Sequence, residues 1–281
     1  MARKAPALSP SRANEFRQCP LMFRLRVIDQ VPEPPSAAAT LGTLVHSVLE
    51  SLFDLPAAER TVEAATAALE PTWSAMRAAT PDLQALHASP TAERAWLRDA
   101  AGRVATYFTL ENPQRLEPAA REEFVEWQLP DGPLLRGVID RVDVAPDGSV
   151  RVVDYKTGKS PAPQYGGQAK FQMRFYALLV ERLRGRRASV LQLLYLKDGV
   201  SVVLHPTEED LERIEQEVRS LWAEIVEAAR SSTWRTRRSA LCGWCSFQAL
   251  CPEFGGTPPP LTPAAVVAAL GVQSEGETPE R

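Results

Sequence analysis

Two short stretches carry acidic and basic side chains at a spacing that could bind a metal ion. Residues 137–143 are Gly-Val-Ile-Asp-Arg-Val-Asp, and residues 152–158 are Val-Val-Asp-Tyr-Lys-Thr-Gly. Both stretches are predicted strands, in which side chains two residues apart share a face. Asp154 and Lys156 therefore point the same way, and the short turn between the strands can bring Asp140 beside Asp154. Two carboxylates next to an ammonium group predict a site for a hard divalent cation.

Such a site favours the hydrolysis of a phosphodiester bond. A divalent metal polarises the phosphate, lowers the pKa of a bound water and neutralises charge on the leaving oxygen. Lys156 could orient or deprotonate the attacking water, or stabilise the transition state, and the residues alone leave these roles open. An isolated Asp-x-Lys is more often a surface ion pair. Here the carboxylate on the adjacent strand and the apolar flanking residues favour a functional site.

Four cysteines form the second candidate site. Cys242, Cys245 and Cys251 lie close together, and Cys19 is near the other end of the chain. Separations of two and five intervening residues with one distant partner suit a four-thiolate metal site. Zinc and an iron–sulfur cluster both fit four thiolates. Two disulfides are the alternative, which a reducing compartment disfavours.

Composition limits the classes of protein to consider. The chain has 281 residues, of which 44% are apolar and 24% charged, as in an ordinary globular protein. No run of about 18 apolar residues predicts a membrane span, and no apolar run after the basic N-terminus predicts secretion, so we expect a cytoplasmic protein. No Gly-x4-Gly-Lys-Ser/Thr loop is present, which excludes a P-loop helicase.

The net charge of −3 argues against a protein that coats DNA through a generally basic surface. A protein that acts on nucleic acid would therefore need a local basic surface. The candidates are the arginines within residues 182–187 and the group of Arg235, Arg237 and Arg238.

Hydrophobic periodicity predicts an α/β fold. Ser9-Pro10 is a helix start, residues 1–8 a loose leader and residues 255–281 a mobile tail. The predicted elements are helices at 41–54, 58–79 and 91–110, strands at 122–129, 134–144 and 150–155, a helix at 164–184, strands at 189–196 and 200–205, and a helix at 207–230. The first three strands are predicted to be antiparallel. The segment at about 55–112 is a predicted helical insertion.

With these motifs, residues 9–251 resemble the RecB-like branch of the PD-(D/E)XK nuclease superfamily. The family's GxxxH motif matches Gly42–His46, and its other strings match residues 137–143 and 154–158. The resemblance implies a metal site formed by His46, Asp140, Asp154 and the backbone carbonyl of Tyr155. Asp154 replaces the glutamate that is common in the family. It also implies a restriction-endonuclease-like core, with a central mixed β-sheet flanked by helices, in a single domain over residues 9–254.

The helix after the second motif adds two residues by the same resemblance. The family's QxxxY motif matches Gln172 and Tyr176, which would line the DNA path and contact phosphate or the catalytic lysine. Gln168 lies outside the motif, and without the resemblance all three are a polar stripe on an amphipathic helix. Glu122 or Glu123 matches a further acidic position of the family. The sequence leaves open which one does, so neither joins the predicted metal ligands.

The resemblance also implies a 4Fe–4S cluster at the cysteines. Nucleases related to AddB and to a CRISPR-associated nuclease carry one early cysteine before a proline, as in Cys19-Pro20, and a C-terminal CxxC-x5-C group, here residues 242–251. The cluster would join the two ends of the chain. The implied activity is that of a Mg²⁺- or Mn²⁺-dependent DNA exonuclease in repair or recombination, acting alone or with a helicase. The alternatives are a zinc-stabilised nuclease and a non-catalytic DNA-end-binding scaffold.

Overall fold

The computed structural model describes residues 6–272, which form two compact units built from separate segments of the chain. Of the described residues, the first unit takes 6–33, 126–137 and 208–272, and the second takes 34–125 and 138–207. The helices and strands in chain order are β1 (Ala7–Leu8), α1 (Pro10–Gln18), α2 (Pro20–Phe23), α3 (Ala37–Leu52), α4 (Val62–Ala67), α5 (Leu69–Ala79), α6 (Pro90–Leu110), β2 (Ala120–Gln128), β3 (Leu134–Val144), β4 (Val150–Lys156), α7 (Gly167–Arg184), β5 (Val190–Tyr195), β6 (Val200–Leu204), α8 (Glu208–Arg230) and α9 (Pro263–Leu270). A π-helical turn, Arg24–Ile28, follows α2.

The strands form a mixed β-sheet with helices packed on it, which confirms the predicted α/β class. Strand β3 pairs antiparallel with β4, β4 pairs parallel with β5, and β5 pairs antiparallel with β6. Strand β2 pairs with β3. The parallel β4–β5 pair requires a crossover, which α7 supplies while contacting both strands. This crossover brings α7 next to the strand that carries Asp154 and Lys156.

Helix α3 packs its apolar face into the core of the second unit, as its periodicity predicts. The buried residues of this face are Leu41, Leu44, Val45, Val48, Leu49 and Leu52. They pack with α5 and α6 and with Val153, Tyr155 and Leu194 of the strands. Burial of each large side chain contributes about 1.5–3 kcal/mol. Helices α4, α5 and α6 lie in the segment of the predicted helical insertion, which stays a prediction, and this core fixes the face of α3 that carries His46.

The N-terminal segment is ordered further than the sequence predicts. The Ser9 hydroxyl caps α1 by accepting from the Arg12 N–H at 3.3 Å, as expected for a helix start. The prediction of a loose leader over residues 1–8 is wrong for Ala7 and Leu8, which form β1 and pair parallel with Leu134 and Leu135 of β3. Both residues are buried, so apolar burial and strand pairing hold them. Residues 1–5 lie outside the described residues.

The prediction of a mobile tail from residue 255 is also wrong up to residue 272. Helix α9 contacts the π-helical turn Arg24–Ile28, and Val266 and Leu270 are buried. The guanidinium of Arg24 donates to the Pro259 carbonyl before the helix starts. A short apolar helix that finds a buried face becomes ordered despite its proline- and glycine-rich surroundings. Residues 273–281 lie outside the described residues.

The prediction of one nuclease domain over residues 9–254 stays a prediction. Both compact units draw on segments that interleave along the chain, and strands β2 and β3 each contribute residues to both.

Candidate active site

Three side chains from different elements of the second unit form a group that could hold a cation. His46 comes from α3, Glu122 from β2 and Asp140 from β3. His46 Nδ1 lies 3.5 Å from Asp140 Oδ1 and 3.7 Å from Glu122 Oε1. One ligand atom from each of the three lies within 4.8 Å of the other two. Two carboxylates and an imidazole suit a divalent metal such as Mn²⁺, and carboxylates are the ligands that Mg²⁺ prefers.

The backbone of Tyr155 joins His46 to Asp140. The Tyr155 N–H donates to Asp140 Oδ2 at 2.7 Å, and the Tyr155 carbonyl accepts from His46 Nε2 at 2.9 Å. Gly42 lies one turn before His46 on α3, where a Cβ would meet the Thr157 hydroxyl at 3.4 Å. The structure thus brings together His46, Asp140 and the Tyr155 carbonyl, three members of the predicted metal site.

Carboxylates surround His46 with negative charge. Burial lowers the pKa of His46, but hydrogen bonds to Asp140 and Glu122 and the charges of Asp140 and Asp154 outweigh it and raise the pKa to about 10. The carboxylates therefore favour positive charge at this position. A divalent cation would meet the same electrostatic demand.

Asp154 and Lys156 lie beside Gln172 and Tyr176 of α7. Lys156 Nζ is 2.8 Å from Asp154 Oδ2 and donates to Gln172 Oε1, also at 2.8 Å. The Gln172 amide donates to Asp154 Oδ1 at 2.8 Å and to the Tyr176 hydroxyl at 3.3 Å. Asp154 is buried, whereas Gln168, one turn earlier on α7, is exposed. The four predicted residues therefore form one hydrogen-bonded group.

Burial sets the protonation of Asp154. It raises the pKa of this carboxyl to about 6, even though the Lys156 ammonium lowers it, and the charge of Asp140 adds to the rise. A buried carboxylate whose pKa is raised by a second carboxylate is typical of a functional site, because both charges are costly to keep without a cation.

The sequence does not place Glu122 among the predicted ligands, and the structure distinguishes it from its neighbour Glu123. Glu122 adopts φ of +42°, a left-handed conformation that is unfavourable for a residue with a Cβ. Its carboxylate reaches His46, whereas Glu123 pairs with Arg184 at 2.6 Å. Backbone strain of this kind is often found at functional sites. Ideal strand alternation places Glu122 and Glu123 on opposite faces of β2, but it does not show which of them reaches His46.

The four cysteines lie in the first unit and line one cavity together with Gln18 and Met22. None of the four forms a disulfide. Burial raises the pKa of Cys245, and the charges of Cys19, Cys242 and Cys251 raise it further. The distant Cys19 is therefore close enough to the C-terminal group to interact with it.

The two predicted arginine groups differ in their surroundings. In the second unit, Arg184 pairs with Glu123, Arg182 lies 3.8 Å from Glu181, and Arg186 donates to the Gly148 carbonyl. The positive charges of these three arginines are therefore partly neutralised by neighbouring acidic and carbonyl groups. Arg235, Arg237 and Arg238 of the first unit are exposed, although Arg237 donates to the Arg17 carbonyl and Arg238 lies over the Phe254 ring.

Across residues 6–272, none of the helices combines the length and the apolar character needed to cross a bilayer.

A mixed sheet flanked by helices, with acidic residues and a lysine at the end of two adjacent strands, defines a restriction-endonuclease-like protein. The family model of the PD-(D/E)XK nuclease superfamily matches residues 7–252. The chain belongs to this superfamily.

Individual proteins that resemble the chain include a phage protein, a bacterial helicase/deoxyribonuclease component and a bacterial protein of known structure. Gene 69 protein of Mycobacterium phage D29 is 29% identical over 209 residues, which cover 66% of this chain and 72% of the phage protein. A Streptococcus mutans protein that is named as one component of an ATP-dependent helicase/deoxyribonuclease is 42% identical over 64 residues, 23% of this chain and 6% of that protein. The crystal structure named "Putative exonuclease" from Eubacterium rectale shares the fold, with a TM-score of 0.56, 14% identity and coverage of 85% and 86% of the two chains.

Proposed function

We propose that this protein is a metal-dependent DNA exonuclease of the RecB-like branch that hydrolyses phosphodiester bonds in DNA repair or recombination. The observation that carries the proposal is the position of Lys156, whose ammonium group lies between Asp154 and Gln172 on the strand next to Asp140. Membership of the PD-(D/E)XK nuclease superfamily supports nuclease activity. The names of the Streptococcus and Eubacterium proteins support DNA as the substrate, exonuclease action and a helicase partner.

The donor set fits Mg²⁺ or Mn²⁺. Asp140, Asp154, His46 and the Tyr155 carbonyl are the ligands we propose, and Glu122 joins them because its carboxylate reaches the same ring nitrogen as Asp140. When bound, the metal would polarise the scissile phosphate and lower the pKa of the attacking water.

The side chains around this site prepare the substrate for hydrolysis. An ammonium group has three N–H donors; on Lys156 one of them donates to Gln172, and the Asp154 carboxylate forms an ion pair with the same ammonium group. A remaining N–H can stabilise charge on the phosphate or hold the attacking water in line. The Tyr176 hydroxyl accepts from Gln172, which leaves its own proton to donate to a phosphate oxygen. Burial raises the pKa of Tyr176, so this donor stays protonated.

We also propose that Cys19, Cys242, Cys245 and Cys251 hold a 4Fe–4S cluster. The four cysteines line one cavity, and a 4Fe–4S cluster takes four thiolate ligands. Zinc takes the same ligands, and the resemblance to RecB-like nucleases with one early cysteine and a CxxC-x5-C group is what favours the cluster. The cluster would join the N-terminal helices to the C-terminal segment of the first unit. We propose that the protein works in the cytoplasm, where a reducing environment keeps the four cysteines available as ligands.

The proposal is tested with anaerobically purified full-length protein and DNA labelled at either end, single-stranded or duplex. With Mg²⁺ or Mn²⁺ we expect progressive release of mononucleotides or short oligonucleotides, and no release in EDTA. Binding of DNA without cleavage in either metal would overturn the proposed hydrolase activity and favour a DNA-end-binding scaffold. Fragments from internal cuts in circular DNA would overturn exonuclease action. Metal analysis of the same preparation should find iron and sulfide, and zinc alone would overturn the cluster.

A further inference from the structure

Large apolar side chains are exposed around the cysteine segment of the first unit. Trp244 is 88% exposed, Leu241 50% and Phe254 46%. Single exposed apolar residues are common, but a tryptophan this exposed beside two other large apolar side chains is typical of an interaction surface. None of these three side chains is a proposed metal ligand; Leu241 and Phe254 line the cysteine cavity, and Trp244 lies outside its lining.

Local backbone structure places Leu241 and Trp244 on one side of the chain. Both lie in the 3-10 helix Ala240–Trp244, where residues three apart are eclipsed. The Ser239 hydroxyl caps this helix by accepting from the Leu241 N–H at 3.3 Å, and the Cys245 N–H donates to the Cys242 carbonyl at 3.2 Å. Trp244 therefore lies on a turn that the cap and the flanking cysteines hold in place.

The same segment is locally basic. Residues 235–254 contain the three arginines Arg235, Arg237 and Arg238 and a single acidic residue, Glu253, which accepts from the Thr236 hydroxyl at 2.6 Å. The guanidinium of Arg238 lies 6.0 Å from the centre of the Phe254 ring. Arg238, Leu241 and Phe254 line the same cavity, so a cationic and two apolar side chains lie together in a protein whose net charge is −3.

We propose that Trp244, Leu241 and Phe254, with the three arginines, form a stacking surface for single-stranded nucleic acid. Unpaired bases stack on aromatic rings while the phosphates contact arginine, whereas the bases of a duplex are already stacked on one another. This inference rests on the proposed nuclease function and deepens it: the first unit would bind a single-stranded part of the DNA substrate.

The test measures binding of a fluorescently labelled oligothymidylate to the full-length protein by anisotropy, in EDTA so that no hydrolysis occurs. Trp244→Ala should weaken binding about tenfold, the effect of losing one stacked base. Trp244→Phe should restore most of the affinity, because it returns a ring. A strand of the same length without bases is the matched control, and its weaker binding should be the same for wild type and Trp244→Ala. Circular dichroism, melting temperature and iron content should agree among the three proteins.

Equal affinities of wild type and Trp244→Ala for oligothymidylate would overturn the stacking surface. An equal loss on the strand without bases would overturn it too, since stacking needs bases. These results are separate from the test of hydrolysis. Protein that binds through Trp244 but never cuts DNA would overturn the proposed activity alone, and protein that cuts DNA with binding independent of Trp244 would overturn this inference alone.

Discussion

The guanidinium of Arg141 donates to the phenol oxygen of Tyr155 at 2.8 Å and so connects the two strands that carry Asp140 and Asp154. Arg141 and Tyr155 each follow one of the carboxylates, so strand alternation directs them to the opposite face. There Arg141 also donates to Tyr107 and, through two bonds of 2.8 and 2.9 Å, to Glu111. This buried charged group holds β3 and β4 together beneath the proposed active site.

Arg141→Met should lower the free energy of unfolding by about 3 kcal/mol, because it leaves the buried Glu111 without its bidentate partner. Arg151, 3.1 Å from Glu111, keeps the loss at the low end of the usual range. Urea unfolding measures the effect. Arg213→Met, which removes an exposed arginine paired with Asp210, is the matched control and should change stability by less than about 0.5 kcal/mol. Equal stabilities of the two variants would contradict a structural role for Arg141.

Tyr155→Phe should separate this structural role from catalysis. The variant loses the hydroxyl that accepts from Arg141 but keeps the N–H and the carbonyl that contact Asp140 and His46. We expect a loss of about 1 kcal/mol in stability, the usual net value of one hydrogen bond, with DNA cleavage largely retained. Urea unfolding and cleavage assays on the same preparation check both. Full stability with abolished cleavage would show that the hydroxyl serves the reaction instead.

Glu122→Gln should raise the Mn²⁺ concentration needed for half-maximal cleavage by about tenfold, since a neutral amide replaces one of the two carboxylates beside His46. Glu123→Gln is the matched control on the neighbouring residue, where only the ion pair with Arg184 is lost. Metal titrations of both variants make the comparison. If Glu123→Gln shifted the Mn²⁺ dependence more than Glu122→Gln, Glu123 and not Glu122 would be the acidic metal ligand.

Gln172→Ala should lower kcat about 100-fold with a smaller change in KM, because Lys156 and Asp154 both lose the amide that positions them. Gln168→Ala removes an exposed glutamine from the previous turn of the same helix and should leave kcat unchanged. Steady-state kinetics on labelled DNA give both constants. A loss confined to KM in Gln172→Ala would indicate that Gln172 only binds DNA.

The sequence predicts the strands and α3 well because each is long and has a clear apolar period. The sequence does not predict β1, because a two-residue strand has no periodicity. It does not predict the docking of α9, because a few apolar residues among prolines do not show which surface they pack against. The motifs predict Asp140, Asp154 and Lys156 as one site, since alternation and a short turn bring them together. The sequence does not show whether Glu122 or Glu123 is the ligand, because the direction of the Glu122 side chain depends on its positive φ. A glutamate gives no sign in the sequence that its backbone adopts this conformation.

Cleavage of labelled DNA by Asp154→Ala and Lys156→Ala tests the central claim most directly. Exposed residues of the same types provide matched controls, Asp147→Ala in the β3–β4 turn and Lys197→Ala in the β5–β6 turn. We predict that both site variants keep the melting temperature to within a few degrees and lose cleavage by at least about 1000-fold, while both controls cut DNA at the wild-type rate. Undiminished cleavage by either folded site variant would contradict the assignment of this site as the nuclease centre.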